Sequence, residues 1–273
     1  AFVSDEETGG SAGLEAVMDQ HELAADGCVI GETTCESDRY AVTVADRGSI
    51  WLTLSARGTG AHGSRPILGE NAIDRLYAAI EEIRTISDER LSLDPAIDPI
   101  VEESVAYYEP TMGAEAARDL FARPTVNLGV LEGGESVNSV PQRATARLDI
   151  RLTASVDTSH LLSRIRACVD GCSGVAIDDV DWSVGTYERI DSPLAAAVAD
   201  TAKAVTGERL YRRSATGGGD GKSFRRAGIP TVEFGIGTDT VHATDEYTTV
   251  SALRQNTHVY TQLPTAFAEA IDG

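Results

Sequence analysis

The sequence predicts an α/β protein in which one domain is interrupted by another. Three observations predict it. Short apolar, strand-like runs ending on acids or glycines lie near both ends of the chain, as in "AFVSDEETGG", "GCVIGE" and "IPTVEFGIG". From about Asp46 the pattern changes to alternating strands and amphipathic helices in the order βαββαβ. Ser192 and Pro193 then open a helix and restore the first style. The expected boundaries are 1–45 and 189–273 for the interrupted domain and 46–188 for the insert.

The elements follow in order. Residues 1–45 read as strand, turn, a helix near Ser11–Met18 and a short apolar strand ending at Glu32. In the insert, "SIWLTLSA" alternates Ile50, Leu52 and Leu54 as a strand with one buried face does. "NAIDRLYAAIEEI" places Ile73, Leu76, Ile80 and Ile83 on one helical face. "TVNLGVL" and "TARLDIRL" are further strands, "HLLSRIRACV" a second amphipathic helix and "VDWSVGTY" a last strand, an order that gives the ferredoxin-like arrangement. The Pro-bearing stretch 84–124 shows no regular pattern and reads as a long loop. After it, Ser192 caps "LAAAVADTAKAV", which Gly207 closes, and a final helix runs from about Val250.

Composition narrows the function. The net charge is −20 from 43 acids and 23 bases. Lys203 and Lys222 are the lysines; arginine supplies the remaining bases. An acidic chain nearly without lysine fits a cytoplasm at very high salt, where screening removes self-repulsion, so a halophilic source is expected. Nucleic acid and membrane are poor partners for such a charge. No apolar run approaches the ~18–20 residues of a membrane span. Cys28, Cys35, Cys168 and Cys172 form no C-x-x-C pair and read as reduced, mostly buried thiols.

Several residues could carry chemistry. Glu6 and Glu7 stand where a strand meets a glycine turn, although an exposed acidic turn capping the next helix is the competing reading. Glu32 ends a second strand, and His242 follows a third within "VHATDE". Strand ends on one sheet edge converge, and carboxylates with an imidazole suit Zn²⁺ or a related divalent ion. His62, in the open loop "GTGAHGSRP", could donate to a developing oxyanion. Lys222, in "GGGDGKSF", offers a point charge for a substrate carboxylate, and the loop lacks P-loop spacing.

Together these segments resemble the M20 family of metal-dependent amidohydrolases and peptidases, in its acetylornithine deacetylase and succinyl-diaminopimelate desuccinylase branch. "SDEETGG" is similar to the family's paired-Glu motif, "GETT" to its G-E-P-T motif and "GTGAHGSRPILGENAI" to the lid His motif. "GGESVNSVPQRATARLDIR" is similar to the N-x-V-P stretch that ends in D-x-R. "ATGGGDGKSFRRAGIPTVEFGIG" and "VHATDEY" resemble the C-terminal substrate loop and metal-His motif.

The resemblance implies a three-layer αβα zinc-hydrolase domain interrupted by a ferredoxin-like dimerisation domain. It implies amide cleavage of N-acyl amino acids by a metal-activated water, with a di- or exopeptidase, or a non-catalytic fragment or dimerisation module, as alternatives. The implied cofactors are two divalent metal ions, zinc before cobalt or manganese. Glu6 would be the general base, Glu7, Glu32 and His242 the metal ligands, and His62 the oxyanion donor at the partner subunit's site. Asn138, Arg151, Gly218, Gly219 and Lys222 would bind a small N-acyl amino acid or short peptide, in a homodimer.

Thr33 departs from the family's Pro, and Lys222 from its frequent Arg. The family's upstream H-x-D and bridging Asp have no match here, so position 1 reads as a cut inside the catalytic domain.

Overall fold

A computed structural model describes residues 3, 12–21, 23–35, 39–241 and 243–272. In chain order the elements begin with α1 (Leu14–Gln20), β1 (Cys28–Ile30), β2 (Tyr40–Ala45), β3 (Gly48–Arg57) and α2 (Ala72–Arg84). There follow α3 (Asp98–Met112), α4 (Ala114–Ala122), β4 (Thr125–Gly133), β5 (Arg143–Leu152), α5 (Thr158–Asp170) and β6 (Val175–Ser183). The chain closes with α6 (Pro193–Thr206), β7 (Leu210–Ser214), α7 (Gly221–Arg226), β8 (Thr231–Glu233) and α8 (Val250–Asp272). Among the described residues no helix is long and apolar enough to cross a membrane. The chain divides into two compact units: 1–47, 93–118 and 185–273 form the first, 48–92 and 119–184 the second.

The second unit is an antiparallel sheet of order β4-β5-β3-β6. Strict alternation in β3 sends Ile50, Leu52 and Leu54 inward and leaves Trp51 exposed. Helices α2 and α5 cover the inner face: Leu76, Ile80 and Ile83 of α2 and Leu161, Leu162 and Ile165 of α5 join one aliphatic core with Leu148 and Ile150 of β5. Asn71 starts α2 by accepting from the backbone N–H groups of Ile73 and Asp74. The strand expected at "VDWSVGTY" lies earlier, over Val175–Ser183, and Tyr187 instead bridges Ala45.

The first unit holds a mixed sheet of order β1-β8-β2-β7. β1 runs parallel to β8 and β2 parallel to β7, while β2 and β8 meet antiparallel through Thr43 and Glu233. Ser192 caps α6 by accepting from the Ala195 N–H, and Gly207 ends the helix in the left-handed region, as expected.

The stretch 84–124, expected to be irregular, contains α3 and α4, and residues 93–118 belong to the first unit, where α3 packs on β7. Its prolines misled because Pro99 occupies the first turn of α3, where a missing N–H costs nothing, and Pro110 falls in the last turn before Gly113. The first helix runs Leu14–Gln20, later than the expected Ser11–Met18. All four cysteines are free; Cys35 is buried and the others half-buried.

Candidate metal and substrate site

Glu6, Glu7 and His242 lie outside the described residues. Glu32 is described and exposed, two residues beyond β1. Because β1 and β8 are parallel, their C-terminal ends leave the sheet at the same edge. The turn after β1 then packs on the chain leaving β8. The Thr34 and Cys35 N–H groups donate to the Gly235 carbonyl at 2.9 and 3.2 Å. Gly235 must be glycine, since a Cβ there would lie 2.4 Å from the Glu32 carbonyl oxygen.

The charge around Glu32 is negative. Burial, then Glu32 and Glu15, push the Asp220 carboxyl above its ordinary value. Like charges gathered at a strand end form an oxygen-rich donor set of the kind a hard divalent cation relieves. Among the described residues, however, no group of three or more His, Cys, Asp or Glu is placed to hold a metal ion. Sequence reasoning passed over Asp220, although its loop "GGGDGKSF" had been singled out.

Gly219 and Lys222 act on one of the protein's own acids, Asp46. The Gly219 N–H and the Lys222 charge both favour ionised Asp46, which burial otherwise pushes upward. Asp46 is fully buried and paired with Arg225, and Thr186 Oγ1 donates to it at 3.2 Å. The Lys222 ammonium lies against Gly218, 2.3 Å from where a Cβ would stand. Burial and the neighbouring Asp46 push buried Glu233 up to about 8. This buried network gave no periodic signal in the sequence, because its members sit singly on separate elements.

In the second unit, His62 and Asn138 come together. His62 bridges Ser139, and the Gly63 N–H donates to the Asn138 carbonyl at 2.6 Å. The Ser64 N–H donates to His62 Nδ1 at 3.2 Å. The same Nδ1 lies 2.8 Å from Ser64 Oγ, and His62 is exposed. A cavity of about 530 Å³ opens beside this pair, lined in part by Gly60, Ala61, Ser139, Gln142 and Arg143.

Arg151 does not join them. From Arg143, where the Asn138 loop ends, β5 rises about 26 Å to Arg151 at ~3.3 Å per residue. There Arg151 Nε donates to Asp149 at 2.7 Å, and its guanidinium lies 5.7 Å from the Trp51 ring centre. A second cavity, of about 320 Å³, lies on this sheet face against Trp51, Arg147, Asp149, Asp179 and Asp181.

Comparison with known proteins shows what the chain resembles. Residues 44–171 match the family model of the M20 peptidase dimerisation domain. Over 266 residues, 95% of the chain, it is 27% identical to a succinyl-diaminopimelate desuccinylase of Acidiphilium cryptum. Over 253 residues it is 29% identical to the enzyme of the same name from Magnetococcus marinus. The chain spans 64% of the length of the first relative and 58% of the second. Its fold matches an M20 family metallo-carboxypeptidase from Sulfolobus solfataricus with a TM-score of 0.77 at 20% identity, covering 96% of this chain and 68% of that one.

Proposed function

We propose that the chain forms part of an M20-type metal-dependent hydrolase that cleaves the amide bond of N-acyl amino acids, of the deacetylase or desuccinylase type. The observation that carries this reading is the parallel pairing of β1 with β8, which brings Glu32 and the segment leading to His242 off the same sheet edge. The desuccinylase relatives support the substrate class.

Glu7, Glu32 and His242 would hold divalent metal ions, zinc first. A divalent ion held by these residues would supply Lewis acidity toward a water and the scissile amide. Glu6 takes the proton of the attacking water and returns it to the leaving amine. His62 would donate a ring N–H hydrogen bond to the oxyanion as charge develops.

We read residues 46–188, apart from the 93–118 segment, as a ferredoxin-like insert that dimerises; the order β4-β5-β3-β6 with two helices on one face supports this. Edge strand β4 and the exposed Ile67, Leu68, Leu131 and Val137 suit a second copy of the chain. The distance between His62 and Arg151 supports the same reading, since a site using both would draw them from two copies. The acid surplus supports a high-salt cytoplasm.

The test is bound Zn²⁺ per chain, together with amine release from N-succinyl-diaminopimelate, N-acetylornithine and dipeptides. Loss of metal in both Glu32→Ala and His242→Ala is expected, with turnover of an N-acyl substrate. Metal binding indifferent to both substitutions would sink the reading, and turnover of dipeptides alone would make the protein a peptidase.

A further inference from the structure

The turn that carries Glu32 is tied down from an unexpected direction. Between the end of β1 and Thr34 the chain has no strand partner, so the conformation of the Glu32 backbone depends on where Thr34 is fixed. Thr34 is buried and is held on every polar atom. Its Oγ1 donates to the Ala41 carbonyl at 2.6 Å and accepts from the Gly235 N–H at 3.2 Å. Its carbonyl accepts from two side chains, Tyr107 Oη at 3.3 Å and Arg213 Nη2 at 3.1 Å.

Tyr107 comes from α3, in the stretch whose sequence promised only a loop. Arg213 comes from β7 and lies against the Tyr107 and Tyr108 rings, 4.7 and 5.4 Å from their centres. Arg39 closes the stack: it sits 5.2 Å from the centre of the Tyr107 ring and donates to the Tyr107 carbonyl at 2.7 Å. A rigid aromatic-guanidinium block therefore sets the height of the Thr34 carbonyl. Thr34 stands two residues along the chain from Glu32.

We infer that Tyr107, backed by Arg213, is a positioning residue for the carboxylate of Glu32. The inference rests on the reading of Glu32 as a metal ligand. Groups that orient ligands from behind are worth about 10–100-fold in metal affinity. A neighbour on the same helix supplies the control. Tyr108 is buried and donates through its own hydroxyl to a different carbonyl, that of Ser214, at 3.3 Å. Tyr107→Phe and Tyr108→Phe each remove one hydroxyl and its bond to a carbonyl, and Tyr107→Phe also loses a contact with Arg213; only Tyr107 bonds the Glu32 turn directly.

The experiment titrates the chain with Zn²⁺ and records thermal melting of the metal-free protein for the parent, Tyr107→Phe, Tyr108→Phe, Arg213→Lys and Glu32→Ala. Tyr107→Phe is expected to weaken Zn²⁺ binding about tenfold. Tyr108→Phe should leave the affinity within about twofold while lowering the melting temperature by a similar amount. Arg213→Lys keeps the charge but loses the fork that serves two carbonyls, and should weaken binding too. It decides the matter should Tyr107→Phe fail to fold. Equal affinities in Tyr107→Phe and Tyr108→Phe, with binding lost in Glu32→Ala, would overturn the positioning role and leave the metal site standing. Binding unchanged in Glu32→Ala would remove the metal-ligand reading, and the positioning role with it.

Discussion

The two units stabilise themselves by different means. The second unit has an aliphatic core with no buried charge among the described residues; its buried polar side chains are Thr153 and Thr158. The first unit buries Asp46, Arg47, Arg213 and Glu233 beside its apolar residues. An aliphatic core is satisfied by any well-packed set of similar volume, whereas buried charges fix particular groups opposite one another. The chain spends its costly interactions in the unit that holds Glu32 and the glycine-rich loop.

The sharpest way to break this contrast is to remove one buried partner. Arg225→Met leaves fully buried Asp46 without its guanidinium partner, with an expected loss of about 3–5 kcal/mol in urea unfolding. Arg164→Met in the second unit, which opens the exposed pair with Glu89, should change stability little. Similar losses from the two would mean that burial of charge is not what distinguishes the units.

The converse test deletes aliphatic volume. Leu52→Ala, at a position 1% exposed within the sheet, should cost about 2–5 kcal/mol through lost burial and a residual cavity. A loss near zero, read by the same urea titration, would mean that the core of the second unit is loosely packed and collapses around the gap.

Acidity sharpens the comparison further. Glu233 is pushed up to about 8 from an ordinary 4.5, so the folded state keeps a proton that the unfolded chain releases. Its contribution to stability is therefore complete below about pH 4.5 and is lost as pH rises through about 8. Glu233→Gln carries no such titration. The stability difference between parent and variant should change by on the order of 5 kcal/mol across that window. A constant difference from pH 4.5 to 8 would show that Glu233 is ionised in the fold.

What could be read from the sequence follows the same division. The second unit's strands and helices were legible because Ile50, Leu52 and Leu54 repeat every second residue and Leu76, Ile80 and Ile83 every third or fourth, a pattern written by one buried face. The first unit's β2 and β7 were missed. β2 is buried over nearly its whole length as "YAVTVA", so it has no exposed face to create alternation, and β7 reads "LYRRS" because arginines occupy its covered positions, Arg213 against the Tyr107 and Tyr108 rings. α3 was hidden by prolines that mark its first and last turns. In the candidate site, Glu32 stood out because it ends a short apolar run and His62 because it sits in a glycine-rich loop. Tyr107, Arg213 and Asp46 did not, since a buried aromatic or a lone charge has no spacing of its own. Glu6, Glu7 and His242 rest on motif likeness and fall outside the described residues.

The smallest expected effect asks whether the units melt as one. Each unit has a helix whose start is set by a single side chain: Asn71 accepts from Ile73 and Asp74 for α2, and Ser192 accepts from Ala195 for α6. Replacing either by Ala leaves helix N–H groups without that acceptor and should cost about 1 kcal/mol. If the units unfold independently, calorimetry shows two transitions, with Asn71→Ala lowering one and Ser192→Ala the other. If both substitutions lower a single transition by the same amount, the units form one cooperative system. The costs of the buried charges and of the aliphatic core would then be shared by the whole chain, and the contrast between the units would describe where interactions sit and say nothing of which part they hold folded.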